Sequence, residues 1–219
     1  MTYMQGEVVF VSGIDTEIGK TVVTGWLARQ WRDAGMDVIT QKLVQTGCMG
    51  ASDDILLHRR IMGCGLFDED RDGSTMPALY AYPASPHLAA RLEGRALDLE
   101  AIDRATARLR ERHAKVLVEG AGGLMVPLTE QLLTIDYVAQ RGWPLLLVTS
   151  GRLGSINHTL LSLEAIAARG MALHGIAWNG RDDGSDEVIA GESRRFIREW
   201  MQARFPQARW YDVPVVALD

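Results

Sequence analysis

The order of residues from position 7 to the middle of the first predicted helix constrains this chain more than any other feature. Residues 7–12 (EVVFVS) form an apolar run typical of a strand buried on both faces. From Thr21, apolar side chains recur at helical spacing until Gly35 supplies a stop. Residues 13–21, between these two segments, read GIDTEIGKT. A buried strand, a glycine-containing loop and a helix in this order predict an α/β fold with a phosphate-binding loop.

The loop supplies the three features that a bound phosphate requires. Backbone N–H groups, a helix N-terminus and a cation converge at Gly19, Lys20 and Thr21. Lys20 is expected to reach the β- and γ-phosphates of a nucleotide, and the Thr21 hydroxyl to bind Mg²⁺. The spacing departs from the strict pattern, because five residues rather than four separate Gly13 from Gly19.

Strand and helix patterns alternate along the rest of the chain. Strands separated by helix-length segments imply right-handed crossovers. The expected fold is therefore a single α/β domain over residues 1–219, P-loop NTPase-like, with a mostly parallel β-sheet and helices on both faces. Residues 63–85, rich in Gly, Asp and Pro, are expected to be irregular. The further strands are predicted at 37–42, 115–120, 144–150 and 174–180, and the helices at 53–62, 98–113, 131–141, 155–169 and 185–204.

Composition and charge argue against several functional classes. The chain has 23 Lys and Arg against 28 Asp and Glu, a net charge of −5, which disfavours a general nucleic-acid or anionic-membrane binder. The apolar runs are far shorter than the roughly 18 residues that span a bilayer. With no secretory signal and only Cys48 and Cys64, we expect a cytoplasmic protein without nucleic-acid or membrane partners. The histidine spacing does not indicate a zinc site.

Acidic residues near predicted strand ends are candidate metal ligands. Glu119 ends one predicted strand and precedes a glycine-rich turn. The carboxyl ends of parallel strands meet at one edge of a sheet, where an acid can bind Mg²⁺ directly or through water. Asp53 and Asp54 open the helix predicted at 53–62. They either supply a further oxygen ligand or cap that helix.

Two other strand ends carry candidate anion-binding groups. Lys42 ends the second predicted strand, where a cation either neutralises charge that develops during phosphoryl transfer or is only solvated. Residues 150–158 join a further strand to a helix. The free N–H groups at the start of that helix would bind a carboxylate or be capped by Ser155.

Together these motifs resemble the dethiobiotin synthetase family, the ATP-dependent cyclo-ligases of biotin biosynthesis. The resemblance covers residues 8–180 and rests on several separated motifs in the family's order. They are GIDTEIGKT at 13–21, Lys42 with Thr46-Gly47, Ser52-Asp53, PASPH at 83–87, VEGAGG at 118–123, LGSINH at 153–158 and Trp178-Asn179.

The resemblance implies a homodimer that uses ATP and Mg²⁺. Its Mg²⁺ would be arranged by Thr21, Glu119 and Asp53, with Asp54 competing for the aspartate role. Lys20, Lys42 and Thr16 would be the catalytic residues, and Asn179 would read the adenine. The implied nucleotide-binding residues are Gly13, Asp15, Thr16, Glu17, Ile18, Gly19, Lys20, Thr21, Val22, Glu119 and Asn179.

The implied substrates are 7,8-diaminopelargonic acid and CO₂ or bicarbonate, with Thr16, Lys42 and Thr46 facing the diamine. CO₂ adds to one amine, and the resulting carbamate attacks the γ-phosphate. The second amine then attacks the carbamic-phosphoric anhydride and closes the ureido ring. The substrate's remote carboxylate would be held, beside the other subunit's phosphate loop, by Gly154, Ser155, Ile156 and Asn157.

Three alternatives stay open. A partition or cobyrinate-type ATPase would share the fold, but Asp15 stands where partition ATPases carry a signature lysine. A regulatory GTPase is a second alternative, because Asn179 and Asp182 resemble a guanine-binding pattern that has lost its lysine. The third is a folded but inactive paralogue.

Overall fold

A six-stranded parallel sheet forms the centre of the structure, a computed structural model that describes residues 5–184 and 186–216. The strands in chain order are β1 (Glu7–Gly13), β2 (Val38–Lys42), β3 (Gln45–Thr46), β4 (Leu79–Tyr80), β5 (Lys115–Gly123), β6 (Leu145–Thr149), β7 (Leu173–Asn179) and β8 (Arg209–Val213). The sheet has the order β2-β5-β1-β6-β7-β8, and β3 pairs with β4 in a separate parallel ribbon.

Eight α-helices connect and cover these strands in the described part of the chain. They are α1 (Lys20–Asp33), α2 (Asp53–Met62), α3 (Asp68–Arg71), α4 (Pro86–Leu92), α5 (Leu99–Arg112), α6 (Thr134–Gln140), α7 (Ser155–Ala168) and α8 (Glu187–Arg204). A short 3₁₀ turn, Gly180–Asp182, follows β7. No helix among the described residues combines the length and apolar character that a membrane span requires.

The predicted α/β fold, with a mostly parallel sheet between helices, is confirmed. Alternate residues of β1 enter two separate apolar clusters, Val8 and Phe10 on one face of the sheet and Val9 and Val11 on the other. Because both faces of the strand are covered, polar side chains at alternate positions would be buried, which explains its continuous apolar sequence. The single domain predicted over 1–219 and the helix predicted over 185–204 extend outside the described residues.

Three elements differ from the sequence-based expectation. β8 was not predicted, because it is an edge strand whose residues, Val213 excepted, are exposed or half-buried, so its sequence lacks an apolar run. The segment 63–85 was expected to be irregular, but it contains α3 and β4, and β4 gains its order by pairing with β3. The helix predicted at 131–141 begins at Thr134, because Leu133 forms an antiparallel bridge with Pro127.

The strand register brings the predicted site residues to one edge. Glu119 of β5 pairs with Val11 of β1 on one side and with Lys42 of β2 on the other. The phosphate loop leaves β1 at the same carboxyl-terminal edge, which is where open parallel sheets bind ligands.

A glycine sets how closely α2 packs against α1 above this edge. A Cβ atom at the buried Gly25 of α1 would lie 3.1 Å from Ile61 Cβ and 3.3 Å from His58 Cα. A side chain at this position would require α2 to move away by a few tenths of an ångström. The position of α2, and therefore of Asp54 at its start, depends on this contact.

We predict that Gly25→Val lowers the free energy of unfolding by roughly 1–3 kcal/mol, because the added methyl groups overpack the α1–α2 contact. Gly191→Val in α8 is the matched control, since a Cβ at this exposed helical glycine would meet no described atom within 4 Å. We expect it to change stability by less than about 0.5 kcal/mol. Urea denaturation of both variants measures the effect, and equal losses would contradict this account.

Candidate active site

The loop between β1 and α1 is shaped by two left-handed residues. Glu17 has φ 57° and Gly19, the N-cap of α1, has φ 89°. A Cβ at Gly19 would lie 2.3 Å from the Asn179 amide nitrogen, so a side chain there would collide with Asn179. The loop therefore needs glycine at this position both for its backbone conformation and for its packing. Asn179 in turn donates from Nδ2 to the Ile18 carbonyl at 2.9 Å.

Lys20 lies over the loop that it ends. Its Nζ donates to the Asp15 carbonyl oxygen at 2.8 Å, and the side chain is buried. Burial lowers the pKa of Lys20 to about 8, although the Glu119 carboxylate acts in the opposite direction. The residue lines a cleft of about 420 Å³ together with Thr16, Glu17, Gly19, Thr21, Val22, Lys42, Thr46, Asp54 and Glu119.

Three oxygen atoms converge beside Lys20. Thr21 Oγ1 lies 3.1 Å from Asp54 Oδ1 and 3.0 Å from Glu119 Oε1, and its single proton can serve only one of these acceptors. Neighbouring oxygen ligands of an octahedral Mg²⁺ with bonds of about 2.1 Å lie about 3 Å apart. Hydroxyl and carboxylate oxygens are also ligands that Mg²⁺ prefers, so the three residues fit this ion.

The protein supplies only part of a coordination shell here. No group of three or more His, Cys, Asp or Glu residues suited to a metal occurs in residues 5–184 and 186–216. Mg²⁺ in nucleotide sites takes its remaining ligands from water and phosphate oxygens. A site of two carboxylates and one hydroxyl is therefore suited to a metal that arrives with a nucleotide.

Lys42 lies between the two carboxylates. Its buried Nζ is 2.5 Å from Asp54 Oδ2 and 2.8 Å from Glu119 Oε1. Burial acts to lower the pKa of Lys42, but Glu119 and Asp54 outweigh it and raise the pKa above its ordinary value. Burial likewise acts to raise the pKa of Glu119, but Lys42 and His58 hold it well below its usual range. Both groups are therefore charged at neutral pH.

The two adjacent aspartates have different surroundings. Ser52 caps α2, since its Oγ accepts from the Ile55 N–H at 3.1 Å. Asp53 accepts from Cys48 Sγ at 3.2 Å, whereas Asp54 faces Thr21 and Lys42. The structure thus brings Asp54 together with the other predicted metal ligands and leaves Asp53 apart from them.

A second cleft adjoins the first and is the larger, at about 580 Å³. Thr16, Glu17 and Thr46 line both clefts, so the two spaces are continuous. Residues 83–86 belong to the PASPH motif, to which the sequence analysis assigns no role, and they line the second cleft. The second cleft offers room for a further substrate directly beside the phosphate loop.

The start of α7 is linked to the phosphate loop. Gly154, with φ 96°, is the N-cap, and within the described chain no side chain caps this helix. Ser155 is buried, with its Oγ 3.4 Å from Ser150 Oγ, so it does not take the capping role. Arg152 donates to the Asp15 carboxylate at 2.9 Å and thereby connects the loop before α7 to the loop after β1.

Asp182, the residue that a guanine-binding site would require, is engaged within the protein. Its Oδ2 accepts from Ser150 Oγ at 2.7 Å and lies 3.6 Å from Arg152 Nε. These contacts direct the carboxylate toward the loop before α7. The arrangement gives no support to the GTPase alternative.

Sequence reasoning missed His58, which is buried directly behind Glu119. His58 Nε2 lies 2.7 Å from Glu119 Oε2. The available signal was its position four residues after Asp54, which places both side chains on one face of α2. That spacing alone does not distinguish a site residue from a core residue.

A family model described as AAA domain matches residues 7–216. The chain is 47% identical over 200 residues to "ATP-dependent dethiobiotin synthetase BioD 2" of Pasteurella multocida, covering 91% of this chain and 93% of the relative. It is 55% identical over 194 residues to "ATP-dependent dethiobiotin synthetase BioD" of Chlorobaculum tepidum, covering 89% and 81%. A Haemophilus influenzae relative with the BioD 2 name is 52% identical over 175 residues, covering 80% and 92%.

Solved structures resemble the chain in fold alone. The signal recognition particle receptor FtsY of Elizabethkingia anophelis, in complex with GDP, superposes with a TM-score of 0.53 at 16% identity. The match covers 94% of this chain but 56% of FtsY. A ParA family ATPase of Chlorobium tepidum gives a TM-score of 0.52 at 14% identity, covering 88% and 81%.

The different surroundings of the two aspartates generate a prediction. Asp54→Asn should weaken binding of Mn²⁺, as a probe for Mg²⁺, on the order of 10-fold or more in the presence of ATP, since a charged oxygen beside Thr21 and Glu119 is lost. Asp53→Asn is the matched control and should leave this affinity unchanged. Electron paramagnetic resonance of free Mn²⁺ measures both. Weaker binding in the Asp53 variant alone would contradict the assignment.

Proposed function

The chain belongs to the dethiobiotin synthetase family, and from this premise we propose that it is an ATP-dependent ligase that makes dethiobiotin from 7,8-diaminopelargonic acid and CO₂. The observation that carries the proposal is the convergence of Lys20, Thr21, Lys42, Asp54 and Glu119 in one cleft at the carboxyl-terminal edge of the sheet. An adjoining cleft beside the same loop supports a second substrate in addition to the nucleotide.

In this proposal the phosphate loop holds the triphosphate of ATP. Lys20 contacts the γ-phosphate, and its charge stabilises the phosphoryl group during transfer. Thr21, Asp54 and Glu119 would hold Mg²⁺. The bound ion would neutralise charge on the β- and γ-phosphate oxygens. The family resemblance assigns Asn179 to the adenine, and in the structure this residue packs against Gly19 and donates to the Ile18 carbonyl.

The proposed chemistry uses three bond-forming steps. One amine of the substrate adds to CO₂, forming a carbamate and releasing a proton. A carbamate oxygen then attacks the γ-phosphorus, and ADP leaves. The second amine attacks the carbonyl carbon of the resulting anhydride, phosphate leaves, and the ureido ring closes. Thr16 and Thr46 line both clefts, and in this proposal they would orient the diamine beside the γ-phosphate.

Lys42 has a specific part in this proposal. Its charge is already stabilised by Asp54 and Glu119, so its proton is firmly held at neutral pH. The residue would therefore act as a fixed positive charge toward the carbamate and the transferred phosphoryl group, rather than as a proton donor.

We further propose that the site is completed across a homodimer, with the start of α7 from one subunit holding the substrate's carboxylate. The Ser155 N–H donates to the Arg152 carbonyl at 3.0 Å, but no side chain in the described chain caps this helix. The N–H groups of Gly154, Ile156 and Asn157 and the helix dipole would favour an anion there. Two apolar side chains beside this segment, Leu153 and Leu161, are 84% and 62% exposed, which suits a subunit contact. The cytoplasmic location and the absence of nucleic-acid partners remain predictions.

The activity itself is the first test. We expect ATP-dependent phosphate release, together with dethiobiotin detected by mass spectrometry, only when diaminopelargonate and bicarbonate are both present. Lys20→Ala should lower turnover on the order of 100-fold or more, because it removes a charge from the transferring phosphoryl group. Lys115 lies at the opposite, amino-terminal edge of the sheet, where β5 begins. Lys115→Ala is therefore the control and should retain activity. Phosphate release that ignores the diamine would instead indicate a different ATPase.

Complementation tests the shared site. Lys20→Ala subunits and Asn157→Glu subunits should each be inactive, since the second variant repels the substrate carboxylate. After subunit exchange, each mixed dimer contains one site with an intact loop and an intact α7 start, so activity should return. Native mass spectrometry verifies the exchange. Mixed dimers that form without regaining activity would contradict a site shared between subunits.

A further inference from the structure

A buried chain of hydrogen bonds runs away from the cleft behind Glu119. His58 Nε2 lies 2.7 Å from Glu119 Oε2, and His58 Nδ1 lies 3.0 Å from Thr40 Oγ1. Arg59 Nη1 donates to the same Thr40 oxygen at 2.7 Å. Glu119, His58 and Thr40 are completely buried, and Arg59 nearly so.

The Glu119 carboxylate fixes the direction of these hydrogen bonds. It is paired with Lys42 and only accepts, so His58 carries a proton on Nε2 and donates it to Oε2. Thr40 Oγ1 accepts from the Arg59 guanidinium, which only donates, and its hydroxyl donates to Nδ1 of a neutral His58. A doubly protonated His58 would also donate from Nε2. The contact to Glu119 therefore does not depend on the charge of the imidazole.

Arg59 is itself held in place. Its Nε and Nη2 form a bidentate pair with Asp70, at 2.8 and 2.7 Å. Asp70 also accepts from Thr75 Oγ1 at 2.8 Å and from the Phe67 N–H at 2.8 Å. A buried network in which each group has its partners has little freedom to rearrange. The position of the His58 ring is thus fixed from the protein interior.

As a result, the two carboxylate oxygens of Glu119 have different partners. Oε2 is occupied by His58, and Oε1 faces Thr21 at 3.0 Å and Lys42 at 2.8 Å. We propose that His58 is a positioning residue that fixes the Glu119 carboxylate so that Oε1 is presented to Mg²⁺·ATP. This inference rests on the proposed function, in which Glu119 is a ligand of that ion. Groups that orient a metal ligand in this way typically contribute 10- to 100-fold in metal affinity or activity, as an order of magnitude.

Two polar substitutions separate this role from packing. In His58→Gln the side-chain amide nitrogen reaches about as far as Nε2, so a donor to Glu119 is retained. In His58→Asn the amide reaches only about as far as Nδ1, so the partner of Thr40 is retained and the donor to Glu119 is lost. A packing role predicts that both variants lose stability and that neither changes metal binding selectively.

The test measures Mn²⁺ affinity by electron paramagnetic resonance, with full-length protein and a non-hydrolysable ATP analogue, beside thermal melting. We expect His58→Asn to weaken Mn²⁺ binding about 10- to 100-fold and His58→Gln to remain within about 3-fold of the parent. His174→Asn, a half-buried histidine at the other edge of the sheet, is the control and should leave Mn²⁺ affinity unchanged whatever its melting temperature.

Unchanged Mn²⁺ affinity in His58→Asn, or equal weakening in both His58 variants, would overturn the positioning role. If His58→Asn does not fold, ¹⁵N chemical shifts of the parent protein decide, because the proposal requires a proton on Nε2 of His58. A proton found only on Nδ1 would overturn it. Failure of the proposed function is separate, since it would appear in the parent protein as diamine-independent phosphate release.

Discussion

The candidate active site at the carboxyl-terminal edge of the sheet is organised around one buried carboxylate, that of Glu119. Moving a charged group out of water is costly unless partners replace its hydration. Lys42 and His58 provide those partners, and Thr21 provides a third polar neighbour. Because Glu119 and Lys42 are paired in register on adjacent strands, the compensation is built into the sheet rather than into mobile loops.

Much of the fold is readable from local sequence. The runs at 7–12, 37–42, 115–120, 144–150 and 174–180 each correspond to a strand. A strand covered on both faces is mostly apolar, although β2 also buries Thr40, Gln41 and Lys42. β8 could not be predicted in this way, because it is stabilised by pairing with β7 rather than by an apolar sequence of its own. The phosphate loop could also be predicted from local sequence, because its strand, turn and helix are contiguous in the chain.

The roles of site residues that depend on contacts with residues far away in the sequence could not be predicted in this way. Asp53 and Asp54 are neighbours, about 100° apart around a helix, and their roles depend on how α2 is rotated against α1. That rotation is set by the close approach of Ile61 to Gly25, which no local pattern records. His58 meets Glu119 across 61 residues of sequence, so its environment emerges only from the assembled sheet.

The strand order also has a consequence for synthesis on the ribosome. β1 leaves the exit tunnel first among the strands, yet both of its sheet neighbours, β5 and β6, come much later in the chain. Glu7 and Lys115, which pair across β1 and β5, are 108 positions apart. Such high contact order delays the closing of the sheet and exposes an apolar strand in the meantime. The nascent chain must therefore keep β1 from aggregating until most of the protein has been translated.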